Sequence, residues 1–316
     1  MSYKILLVGA GQLGSRYLQG LKKFNKKIDL CVVDIDKNSL KISKDRWDSI
    51  DTNVRHVCNF HTTLPQKIKL YDLAIITTTA NIRLKIIKDI LKETKIRFWI
   101  LEKLLAQNSK DIDEIDKLLS HSKVWVNTCD KTFSWFKAIK NKKNTETKVS
   151  KFNVEGNRWA IISNGIHLID FYEWWTNETL MEVDSSKLNK KWFKSKRNGF
   201  IETSGSIHCT FSKGSTLIFS CKNDKNKPES QKYFLDDWNI DKFRGFAKNK
   251  SGLIIKGELE LMSNKITEFA SDILFRGSCE LTNLSESVRI HKIYLNSIQN
   301  TWNANNLNTN ETLNIT

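Results

Sequence analysis

The chain has 316 residues, 40% hydrophobic and 27% charged, with only two prolines. That composition excludes a linker or disordered chain and is enough for two domains of ordinary size. The 51 lysines and arginines against 35 acids leave a formal charge of +16, which favours anionic partners without naming one. No basic stripe with interleaved aromatics marks a nucleic-acid-binding motif, so no specific nucleic-acid partner is expected.

In chain order, Ile5 to Val8 predicts a buried strand, and Leu13 to Phe24 a helix with Leu13, Tyr17, Leu18 and Leu21 on one face. Leu30 to Val33 reads as a strand, Ser39 to Trp47 as a helix, Leu73 to Ile76 as a strand, Ile82 to Leu91 as a helix and Arg97 to Leu101 as a strand. Fully apolar strands separated by helices mean a parallel sheet covered on both faces, with ligands at the carboxyl ends of its strands. Residues 1–125 are therefore assigned to an α/β domain of the Rossmann type.

From about Ser150 the texture changes. Phe152 to Val154, Gly205 to Phe211, Ser215 to Cys221 and Leu253 to Leu261 alternate apolar and polar residues, which predicts a mainly antiparallel sheet with one wet face. Helical stretches over Gly165 to Trp175 and Leu284 to Ile298 make residues 126–302 an α+β domain for substrate binding and oligomerisation. A homo-oligomer packed through the sheet is expected, with Leu253 to Leu261 as candidate contacts. Residues 303–316 read as a polar tail. The basic clusters Lys137 to Lys143 and Lys187 to Arg197 read as solvated surface.

No run approaches the roughly 20 apolar residues of a membrane span, and the apolar start is too short for a signal peptide, so a cytoplasmic protein is expected. The six cysteines show no metal-ligand spacing, and neither a metal nor a disulfide is predicted.

Gly9-Ala10-Gly11-Gln12-Leu13-Gly14 directly follows the first strand and opens the first helix. Gly9 permits the tight turn, Gly11 lets backbone approach a pyrophosphate, and Gly14 lets helix and strand pack closely. The amides of Gln12 and Leu13 at the helix N-terminus offer donors and a positive dipole end to the phosphates. Asp34 ends the second strand 20 residues after Gly14, where a carboxylate accepts from ribose hydroxyls. It favours NAD; NADP ranks second, because its added phosphate would need compensation from a base such as Lys37.

Two further segments stand after strands, Thr77-Thr78-Thr79-Ala80-Asn81 and Leu101-Glu102-Lys103-Leu104-Leu105-Ala106. With the glycine turn, Val126-Asn127-Thr128 and Asn164-Gly165-Ile166-His167-Leu168-Ile169-Asp170, they resemble the Gfo/Idh/MocA family of NAD(P)-dependent sugar and cyclitol oxidoreductases. The resemblance implies that Thr77, Thr78, Asn81, Glu102 and Lys103 lie beside the cofactor. It implies that Lys103 and His167 are catalytic, and that Ser163, Asn164 and Asp170 join them in holding a sugar-like substrate, for which the basic surplus would suit an anion. The chemistry is coherent: a histidine can take the hydroxyl proton as hydride leaves carbon, and an ammonium stabilises the developing charge on oxygen.

Two positions depart from the family pattern. Leu104 replaces the proline of a Glu-Lys-Pro motif, and a non-proline cis bond costs about 3 kcal/mol, so a trans Lys103–Leu104 bond is expected. Ser163 replaces an Asp or Asn. These two residues favour the alternative, a catalytically inactive cofactor-binding homologue acting in regulation or assembly. Trp159, Trp174 and Trp175 read as core, or as a stacking surface for a sugar ring.

Overall fold

A computed structural model describes residues 2–66, 70–143, 149–257, 260, 262–305 and 313–316. They form two compact units, one of residues 1–106, 113–127 and 260–285, the other of 107–112, 128–259 and 286–316. The units are interleaved along the chain instead of meeting at residue 125.

The first unit begins with β1 (Tyr3–Val8), α1 (Gln12–Leu21), β2 (Ile28–Val33), α2 (Lys37–Asp48), β3 (Val57–His61), β4 (Leu70–Ile76), α3 (Ala80–Glu93), β5 (Lys95–Glu102), α4 (Ser109–Leu119, entering from the other unit) and β6 (Lys123–Asn127). The strands pair in parallel in the order β6-β5-β4-β1-β2-β3. Ile5, Leu6 and Leu7 are fully buried, as are Leu73, Ile75 and Ile100. Each such side chain contributes about 1.5–3 kcal/mol by leaving water, which is why the apolar runs become central strands. Asp36 caps α2 by accepting from the amides of Asn38 (3.0 Å) and Ser39 (3.2 Å). Val126, predicted to open the second domain, instead pairs with Leu101 inside this sheet.

The second unit carries a short 3-10 turn (Cys129–Thr132), α5 (Ser134–Lys140), β7 (Lys151–Asn157), α6 (Ile161–Thr176), β8 (Leu180–Asp184), β9 (Phe193–Lys194), β10 (Ile201–Glu202), β11 (Gly205–Phe211), β12 (Thr216–Lys222), β13 (Ser230–Leu235), β14 (Trp238–Asp241), β15 (Phe246–Asn249) and β16 (Ile254–Lys256). Its large sheet has the order β16-β15-β14-β13-β7-β12-β11-β8. Every neighbouring pair is antiparallel except β7 with β12.

The chain then returns to the first unit. In α7 (Met262–Arg276), Ile266, Phe269, Ala270 and Ile273 are buried in one core with Leu18 and Leu21 of α1, and Thr267 Oγ1 donates to the Gly20 carbonyl at 2.6 Å. A two-residue strand, β17 (Thr282–Asn283), pairs antiparallel with β6. The last helix, α8 (Leu284–Asn305), runs in the second unit beyond its first two residues.

Several expectations are corrected. Of Leu253 to Leu261 only Ile254–Lys256 is a strand; Glu258, Leu259 and Leu261 lie outside the described residues. The polar tail begins inside α8, its residues 306–312 lie outside the described ones, and its end is anchored: Leu313 and Ile315 are buried. Ile201 N donates to Asn314 O and Gln107 Nε2 to Ile315 O, both at 2.9 Å. In the first basic cluster, Lys140 Nζ donates to the Trp174 carbonyl and lies 4.2 Å from its ring centroid; burial there lowers its pKa to about 8. Trp159 and Trp175 are core residues, donating to Ser220 O (3.0 Å) and Asp236 Oδ2 (2.9 Å). None of the six cysteines is in a disulfide, and among the described residues no helix is long and apolar enough to cross a membrane.

Candidate active site

At the carboxyl ends of β1 and β4 the glycine turn packs against Thr77. Gly9 has φ +101°, in the region that favours glycine, and Thr77 Oγ1 donates to the Val8 carbonyl at 3.1 Å and to the Gly9 carbonyl at 2.5 Å. A Cβ on Gly14 would stand 1.9 Å from the Gly9 carbonyl oxygen, whereas one on Gly11 would meet nothing within 4 Å. Gly14 therefore closes the helix onto the turn, and Gly11 leaves open space in front of it.

Gly11 is the N-cap of α1 and makes no side-chain cap bond, and the first turn holds no acid. Its amides suit an anion, the chemistry a pyrophosphate requires. Asp34 Oδ2 accepts from Ala10 N (2.6 Å) and Oδ1 from Asp36 N (2.9 Å). This fixes a carboxylate at the end of β2, and each oxygen retains a lone pair for a ribose hydroxyl. Ile35 beside it is 87% exposed. Gln12 and Asn81 are exposed, Leu13 and Thr78 half-buried. These features fit a dinucleotide.

Glu102 turns inward. It is buried and accepts from Tyr17 Oη (2.5 Å) and Asn127 Nδ2 (2.8 Å). Burial holds its carboxyl above the ordinary range, outweighing those hydrogen bonds and the charges of Arg83 and Lys103. Lys103 is half-buried, and the Lys103–Leu104 bond is cis, not trans. The side chain of Leu104 is fully buried and the Arg83 guanidinium donates to the carbonyls of Thr78, Leu104 and Leu105, so tertiary packing overrides the local preference for trans.

In the second unit α6 carries the remaining predicted residues. Its N-cap, Ala160, has a left-handed backbone and no capping side chain. Buried Glu202 on β10 supplies the cap, accepting from Ile162 N (3.0 Å), Ser163 N (2.9 Å) and the Ser163 hydroxyl. Asn164 Nδ2 donates to Trp159 O at 2.7 Å. Gly165 lets α6 approach α8 and β12: a Cβ there would lie 2.5 Å from Tyr294 Oη and 2.8 Å from Phe219.

His167 is half-buried, one turn before buried Asp170, which pairs with Lys131 at 3.3 Å. One ligand-type atom from each of His167, Cys129 and Asp130 lies within 4.8 Å of the others, a grouping the sequence spacing did not reveal. Asp130 Oδ2 takes Lys242 Nζ at 2.5 Å. Burial pushes the Asp130 carboxyl up, but Lys242 and then His167 outweigh it and hold it below the ordinary range. Burial likewise opposes the Lys242 ammonium, and Asp130 and Tyr233 raise it nonetheless.

Sequence reasoning missed Asp130, Lys242, Glu202 and Arg83. Lone charges in unremarkable surroundings, they carry no local signal; only the topology gives each its partner.

No family model and no curated protein matches the chain. Among solved structures it is similar to an oxidoreductase from Agrobacterium radiobacter in complex with NAD+, L-tartaric acid and magnesium, at 14% identity over 96% of this chain and 97% of that one, with a TM-score of 0.72. A myo-inositol 2-dehydrogenase from Lactobacillus plantarum matches at 15% identity over 96% and 98% of the two chains, TM-score 0.66. A protein of gentamicin A biosynthesis in complex with NAD matches at 13% identity over 95% and 94%, TM-score 0.68. The chain therefore has the fold of these oxidoreductases, a Rossmann-type unit with a unit built on a mainly antiparallel sheet, as the resemblance implied.

Proposed function

We propose that the chain is a member of the Gfo/Idh/MocA oxidoreductases, an NAD-dependent dehydrogenase or reductase acting on a secondary alcohol of a sugar or sugar derivative. The observation that carries this reading is the glycine turn, with open space before Gly11, uncapped α1 amides and Asp34 held at the end of β2. Solved proteins of the same fold carry NAD or are inositol dehydrogenases. Bound nicotinamide supplies the hydride acceptor. The resemblance assigns His167 the hydroxyl proton as the alcohol is oxidised to a carbonyl, and assigns Lys103 the stabilisation of negative charge developing in that step. Asn164, Ser163 and Asp170 complete the substrate side; the Ser163 hydroxyl also donates to Glu202, and Asp170 pairs with Lys131.

The basic surplus suits an anionic sugar. Exposed Phe246, Leu253 and Ile254 provide apolar surface for a homo-oligomer. The test is turnover of NAD with a panel of polyols, sugars and sugar acids, followed by nicotinamide absorbance. The reading predicts reduction of NAD by at least one of them, with kcat lowered about 10²–10⁴-fold in His167→Asn and about 10²–10³-fold in Lys103→Met. Turnover unaffected by both substitutions would remove the two residues from the chemistry.

A further inference from the structure

Three separate stretches of the second unit bring charge to the neighbourhood of the His167 ring. The 3-10 turn supplies Cys129 and Asp130, each with an atom inside the 4.8 Å grouping. The residue after β14 supplies Lys242, whose ammonium sits 2.5 Å from Asp130 Oδ2, and β13 supplies buried Tyr233 beside that ammonium. Lys131 and Asp170 form the neighbouring pair at 3.3 Å, and Glu202 sits at the N-terminus of the same helix on Ile162 and Ser163.

A carboxylate 3% exposed is costly to keep ionised unless a cation accompanies it. Lys242 is that cation. Its ammonium occupies one oxygen of the carboxylate, Oδ2.

We propose that Asp130 is the positioning carboxylate of His167 and that Lys242 is the resident cation that holds Asp130 ionised beside the ring. A carboxylate there orients the imidazole and stabilises the imidazolium formed when the ring takes a proton. Asp130 acts through His167 and not on the substrate. The assignment rests on the reading of His167 as the proton acceptor.

The test is the pH titration of the histidine ring resonances in the isotopically labelled full chain, without cofactor or substrate, comparing it with Asp130→Asn. The expected result is a His167 midpoint lowered by roughly one to three pH units, with the other histidines unmoved. In turnover, the acid limb of the pH–rate profile should shift downward with it, and kcat should fall more than KM changes. If the unpaired ammonium of Lys242 prevents folding, Asp130→Asn combined with Lys242→Met removes both buried charges, and its midpoint should also lie below that of the parent.

An unmoved midpoint in either folded variant overturns the proposal. So does stoichiometric metal in the purified protein that is lost in Cys129→Ser, since Asp130 would then be a metal ligand. Failure of the dehydrogenase reading is a separate outcome: the parent would not turn over NAD, while the titration would still decide whether Asp130 governs the ring.

Discussion

Glu102 shows how a motif residue can serve the fold. The sequence places it beside the cofactor through its neighbour Lys103, yet its carboxyl is buried on Tyr17 and Asn127, so it ties the end of β5 to α1 and β6. Burial raises its pKa, and the folded chain therefore holds this proton more tightly than the unfolded chain. The contribution is fully present below the unfolded carboxyl value of about 4.3 and is lost as pH rises through the folded value. Glu102→Gln keeps the shape without the ionisation. Urea midpoints measured from about pH 4 upward should move in favour of the variant as pH rises; a difference independent of pH would mean that the Glu102 pKa is not raised by folding.

At the scale of elements, α6 is held at both of its ends. Glu202 caps its first turn from another strand, and Arg289 on α8 grips Glu173 near its last turn at 2.7 and 2.8 Å. Tyr294 Oη donates to the carbonyls of Ile161 and Ile162. Glu202→Gln retains an acceptor but loses the charge-assisted bonds to two amides and a hydroxyl. It should destabilise the chain by about 1–3 kcal/mol in chemical denaturation, and an unchanged stability would show that Glu202 is not the cap that holds α6.

What was legible follows from the same physics. Continuous apolar runs made β1, β2, β4 and β5 readable, and the contiguous glycines made the turn from β1 into α1 readable. The edge strand β3, with Val57 and Asn59 exposed, carries no such run. The short β13–β15 hairpins alternate over only four to six residues, and α7 was missed because its buried face completes a sheet far back in the chain. Asp130 and Lys242 stand 112 positions apart, so no local pattern could join them, and the cis bond at Leu104 was misread because packing around Arg83 is not written in the dipeptide.

At the scale of the whole molecule, one chain builds two units by crossing between them more than once, so a division at a single boundary misassigns residues 107–112, α7 and β17. The glycine turn and Asp34 lie wholly within the first unit, and the His167 cluster wholly within the second. Cofactor binding can therefore be judged apart from catalysis. The most direct measurement is titration of the purified chain with NADH and NADPH by fluorescence, alongside Asp34→Ala. The account predicts saturable binding with NADH preferred over NADPH, and NADH affinity weakened about tenfold or more in the variant through loss of the charged acceptor. Absence of binding by either nucleotide would contradict it.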